Sequence, residues 1–144
     1  MTATDYDRDF YAWANEQAAL LRAGKLDDAD IETIAEEIES MGRGERRELV
    51  KRLTVLMLHL LKWQFQPGMR GDSWRLRIEE QRYRLENHLA DNPSLKSQLD
   101  QAICDAYRLV VIEAERETGL ARTTFPPVCP YAYERAVDPD FWPA

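Results

Sequence analysis

His59, Lys62, Trp63, Gln66, Arg70, Trp74, Arg75 and Arg82 crowd one short stretch of this chain, and their types suggest a chemistry. Cations interleaved with tryptophans suit a nucleic acid, the arginines and lysine holding phosphates while the rings stack on bases. An imidazole in the same neighbourhood, His59, can act as the acid or base of RNA cleavage. The same residues also have a plainer role. Trp63 and Trp74 fall on apolar helical stripes, where rings anchor cores. Lys62 and the arginines can then be solvated or paired with an acidic helix, with His59 as a surface histidine. The helical spacing favours this second reading.

A second set, Gln17, Glu37, His59 and Gln81, can line a small-molecule cleft, with His59 and Glu37 as the candidate catalytic pair. Metal chemistry has less to work with. The residues three before His59 and His88 are Leu56 and Leu85, so no Glu-x-x-His pair exists, and a three-histidine site lacks its third imidazole. Glu36, Glu37 and His59 are too few ligands, and no metal or cofactor is expected. Phosphate-binding GxxxxGK[ST] and GxGxxG patterns are absent, as is the GxSxG elbow. Cys129 beside Pro130 has no identifiable base, and Cys104 reads as a small hydrophobe buried in a helix. The cysteines are not expected to pair, since nothing suggests an oxidising compartment.

The elements that must position these residues are helices. The chain has 144 residues, enough to bury roughly two-thirds of its unfolded surface, and its composition of 44% hydrophobic and 31% charged residues is that of a folded domain. Tyr6, Phe10, Trp13, Leu20 and Leu21 mark a first helix from about Asp5 to Ala23, ended by Gly24. Gln17 is the one polar member of that stripe and, if buried, requires a partner from a neighbouring helix. A second helix, capped by Asp27 or Asp28, puts Ile31, Ile34, Ala35, Ile38 and Met41 on an apolar face and Glu32, Glu36, Glu37 and Glu39 opposite, ending at Gly42. A third, from Gly44 to Phe65, carries Leu49, Val50, Leu53, Leu56, Met57, Leu60 and Trp63 and forms the bundle centre, leaving a polar stripe through Glu48, Arg52, His59, Lys62 and Gln66. After Pro67 and Gly68, Asp72 or Ser73 caps a fourth with the stripe Trp74, Ile78, Gln81, Leu85, Leu89. Ser94 caps a fifth that runs to Gly119. The segment 120–144 is Pro-rich, with a sixth short helix near Pro130 to Val137. Its aromatics, Phe125, Tyr131, Tyr133, Phe141 and Trp142, are expected to lie on the bundle or a second subunit.

The expectation is one all-α domain over residues 1–144, a five-helix up-and-down-like bundle with a polar tail at 1–4. Charge is uneven along it: residues 1–42 carry 3 basic and 11 acidic side chains, 43–84 carry 11 and 5, and 85–144 carry 5 and 10. The net charge of −7 argues against general affinity for nucleic acid or anionic membranes. The most apolar stretch, Leu53 to Leu61, is too short for a bilayer, and nothing resembles a secretory leader, so a cytoplasmic setting is expected.

The segments YDRDFYAWANEQAALLRAG at 6–24, IAEEIESMGRGERREL at 34–49, HLLKWQFQP at 59–67, SWRLRIEEQR at 73–82 and NPSL at 92–95, then ETGL, FPPVCPY and DPDFWP, resemble a bacterial family, the all-helical domain of unknown function catalogued as number twenty-nine. The resemblance spans nearly the whole chain. It implies a small helical bundle and transfers no catalytic residue.

Three functions then follow from the residues. The first is a non-catalytic interaction or regulatory module, a homodimer or partner of another protein through the aromatic C-terminal segment. The second is a nucleic-acid-binding or ribonuclease-like, toxin-like protein using segment 43–84, with Lys62, Trp63, Trp74, Arg75, Gln81 and Arg82 as binding residues. It requires Arg46, Arg47, Arg52, Lys62, Arg75 and Arg82 on one exposed face, unpaired with Glu36, Glu37 and Glu39. The third is the small-molecule enzyme above.

Overall fold

A computed structural model describes residues 5–144, so the tail expected at 1–4 lies outside the described residues. The fold is all-α. Its helices are α1 (Phe10–Arg22), α2 (Ile31–Phe65), α3 (Asp72–Asp91), α4 (Leu99–Thr118) and the single turn α5 (Tyr133–Ala136). Two compact units emerge, Met1–Arg43 and Gly44–Ala144.

In the first unit, the Asp9 carboxylate caps α1 by accepting from the Ala12 N–H at 3.0 Å. Gly24, at φ 72°, ends α1, with Lys25 N–H donating to the Leu20 carbonyl. Gln17 is buried on α1, and its Oε1 accepts from the Asp30 backbone N–H at 2.7 Å, just ahead of α2. The partner required for Gln17 is thus supplied by the residue that leads into the next helix. Tyr6 meets Phe10 and Trp13 edge to face and donates its hydroxyl to the Glu37 carboxylate.

The largest departure from expectation is α2. The second and third helices are one helix of 35 residues running through Gly42 and Gly44. A glycine stop requires the left-handed conformation, and the positive-φ glycines are Gly24 and Gly119. Each interior glycine costs about 1 kcal/mol relative to alanine, an amount the flanking helix formers and the Glu39–Arg43 and Glu48–Arg52 pairs withstand. The apolar stripe of the second expected helix also departs from a core role: Ile31, Ile38 and Met41 are 51%, 63% and 67% exposed.

The second unit holds the main core. Leu49, Leu53, Leu56, Met57, Leu60 and Leu61 of α2 are fully buried with Ile78 and Leu85 of α3, each large aliphatic contributing roughly 1.5–3 kcal/mol. Ala102, Ala106 and Ala114 give α4 a smooth buried face around Val110, so its backbone can approach closely. The aromatics Phe125 and Tyr131 join this core from the C-terminal segment. Three local expectations shift. Gly71, not Asp72 or Ser73, occupies the cap position of α3. A 3-10 turn over Pro93–Gln98 precedes α4 where Ser94 was expected to cap it. Cys104 is exposed on α4 rather than buried.

Candidate functional site

Three of the residues that suggested nucleic acid, Trp63, Arg70 and Arg82, close on the chain's own C-terminal segment. Arg82 is buried on α3. Its Nε donates to the Ala136 carbonyl at 2.8 Å and its Nη2 to the Phe141 carbonyl at 2.6 Å, while its guanidinium lies 5.0 Å from the Trp142 ring centre. Trp142 packs in turn on Trp63, ring centres 4.7 Å apart. Arg70 completes the clamp: Nε donates to the Trp63 carbonyl at 2.6 Å, and Nη2 to the Pro143 carbonyl at 3.3 Å. Burial pushes the Arg82 guanidinium below its usual range, opposed by Asp138 and Glu79. Arg82 Nη1 and the neighbouring Gln81 Oε1 are buried without a hydrogen-bond partner. Carbonyls, rather than phosphates, therefore occupy these donors.

A second cluster lies where α2, α3 and α4 meet. The Lys62 ammonium pairs with Glu117 at 3.1 Å and sits 5.0 Å from the Trp74 ring centre. His59 is half-buried, with Nδ1 2.8 Å from the Val55 carbonyl one turn back. Burial holds its imidazole below the usual range, helped by Lys62 and Arg77 and opposed by the Val55 hydrogen bond and Glu117, so it is neutral at pH 7. Arg75 bridges Asp72 and Glu79 on its own helix. Arg52 pairs with Glu48, and Arg46 reaches Asp105 of α4 at 2.9 Å. The bases of segment 43–84 are thus balanced largely within α3 or across to α4. Of Glu36, Glu37 and Glu39 on the acidic face of early α2, Glu39 takes one of them, Arg43, at 3.8 Å. Glu37 and Gln17 belong to the first unit and are engaged there.

Two grooves in the second unit were not foreseen. One, of about 800 Å³, runs between α4 and the C-terminal segment past Tyr107, Tyr133 and both cysteines. The Tyr107 hydroxyl donates to the Pro126 carbonyl and that of Tyr131 to Gln64 Oε1. The Cys129 thiol lies 3.6 Å from the Met57 sulfur, and burial pushes it up from its ordinary value, which weakens it as a nucleophile. The other, of about 490 Å³, lies between α2 and α4, with Val50, Val55 and Leu109 as apolar floor and Arg46, Arg47 and Lys51 along it.

The model of the family described as Domain of unknown function DUF29 matches residues 6–142. The chain belongs to the DUF29 family. No curated protein and no solved structure matches it. What sequence reasoning missed in this DUF29 chain is the surface of the first unit. Residues 1–43 carry 4 basic and 11 acidic side chains, net −7, and residues 44–144 carry 15 of each, so the whole net charge resides on the smaller unit. Phe10, Tyr11, Leu21, Leu26, Ile31, Ile38 and Met41 are exposed on it. The acidic count was readable beforehand, but the exposure was not, because a stripe of this spacing is the usual signature of burial.

Proposed function

We propose that this DUF29 domain is a docking module for protein, without catalysis of its own, and that its first unit presents the docking face. The observation that carries this is the apolar row Ile31, Ile38 and Met41, each more than half exposed, on a strongly acidic ground. Apolar side chains recurring one and two turns apart mark a helix face shaped for a partner. The polar groups with most chemical promise, His59, Lys62, Arg75 and Arg82, have partners within the fold, which supports binding over catalysis and leaves the nucleic-acid reading less to stand on. The aromatic C-terminal segment, with Phe125 and Tyr131 in the core, is the weaker choice for the face. A cytosolic setting fits two free thiols, and alkylation of both in freshly lysed cells checks it.

A photo-crosslinking residue at position 38 should capture protein in cells, and one at exposed Arg84 on α3 should not. A folded variant with no protein adduct at position 38 would remove the docking reading. Ile38→Gln and Met41→Gln should each shift unfolding free energy by less than about 0.5 kcal/mol. A loss of about 2 kcal/mol or more would mean that the row is core.

A further inference from the structure

We infer that the face on the first unit is covered by a second copy of this chain, whose basic-lined groove between α2 and α4 receives it. This rests on the docking reading and adds the identity of the partner. The two surfaces match in kind. The donor face offers Ile31, Ile38 and Met41 beside exposed Glu32, Glu36 and Glu39. The groove offers the half-buried Val50 and Val55 and the exposed Leu109 on its floor, with Ile112 exposed a turn further along α4.

Charge selects the occupant. Arg47 and Lys51 are exposed and form no ion pair among the described residues, and they stand one helical turn apart, as Glu32 and Glu36 do on the donor. Arg46 is already held by Asp105, and Glu113, which also lines the groove, meets Arg116 at 3.8 Å. Arg47 and Lys51 are therefore the cations left to answer an incoming carboxylate. A surface of net −7 set against its own like is repelled, which disfavours pairing of two first units face to face. Acidic face to basic groove avoids that repulsion, and exchanging the contact reciprocally closes a two-fold dimer.

The test is analytical ultracentrifugation of the full chain with paired charge reversals. The wild type is expected to sediment as a dimer at about 50 mM salt and to dissociate at least tenfold more readily at about 500 mM, since rim charges are screened. Glu32→Lys with Glu36→Lys, and separately Arg47→Glu with Lys51→Glu, should each be monomeric with unchanged helicity. Mixed in equal amounts, the two variants should recover the dimer, because each reversed surface then meets its complement. A wild type that is monomeric at low salt overturns the inference, as does a mixture that stays monomeric. The crosslink at position 38 separates the two levels: an adduct with a different protein sinks the second-copy inference and leaves the docking reading standing.

Discussion

Removing the Arg82 guanidinium tests whether a buried cation holds the C-terminal segment. Arg82→Met keeps most of the aliphatic stem and deletes both donors together with the cation that lies over Trp142. Hydrogen bonds from a charged donor contribute about 1.5–3 kcal/mol each, and two are lost, to Ala136 and Phe141. Against this stands the relief of desolvating a cation that has an orphaned Nη1 and, among the described residues, no carboxylate within ion-pair distance. The Phe141 carbonyl belongs to a half-buried residue that water can reach, whereas Ala136 is fully buried and its carbonyl loses its partner. The balance is a loss of about 2 kcal/mol for Arg82→Met, and about 4 kcal/mol for Arg82→Ala, which also forfeits the stem. Urea unfolding followed by far-ultraviolet circular dichroism measures both. A neutral or stabilised Arg82→Met would refute the reasoning, because the cation would then cost more buried than its two hydrogen bonds return.

Continuity of α2 is tested by Gly42→Ala and Gly44→Ala. A Cβ at either glycine meets nothing within 4 Å, and neither has positive φ, so each should stabilise the protein by about 0.5–1 kcal/mol in the same assay. Destabilisation would place a break there. His59 supplies a pH dependence. Its folded pKa lies below the unfolded value near 6.5, so the unfolded chain takes up the proton first. Stability should fall as pH drops from about 6.5 through the lowered folded value, and His59→Gln should flatten that limb in melts between about pH 5 and 7. At the alkaline end, burial pushes Tyr107 up to about 12 and raises Tyr131 as well. Because the folded state keeps these protons, stability should decline as pH rises from about 10 through 12. Absorbance titration should then show both phenols ionising only with unfolding, and Tyr107→Phe should lose part of the alkaline decline.

Much of the helical skeleton was legible because its signals are local. Gly24 and Gly119 end helices as read, and the Leu49 to Trp63 stripe marks the central helix, with Trp63 at its half-buried edge. Gln81, Leu85 and Leu89 occupy the buried face expected of them. Gln17 was legible through its misfit, an amide on an apolar stripe. Gly42 misled because composition alone does not reveal backbone sign, and a glycine with helical φ looks in sequence like one that ends a helix. The roles of Arg70 and Arg82 were hidden for a different reason. Apart from the Trp63 carbonyl seven residues before Arg70, their partners are backbone carbonyls some 54 to 73 residues away, which carry no residue-type signature. Exposure of Ile31, Ile38, Met41 and Cys104 depends on what the rest of the chain leaves uncovered, and periodicity is silent about that.

The Trp63–Trp142 contact makes the protein its own spectroscopic gauge. Two indoles 4.7 Å apart are close enough for their transition dipoles to couple, and the 44° between their planes makes a skewed pair in which a circular dichroism couplet is expected. An exciton couplet in circular dichroism should accompany the seated C-terminal segment and vanish when it lifts, while overall helix content is retained. Its seating can therefore be followed in real time without a label, in the native chain, during folding, salt jumps or ligand screening.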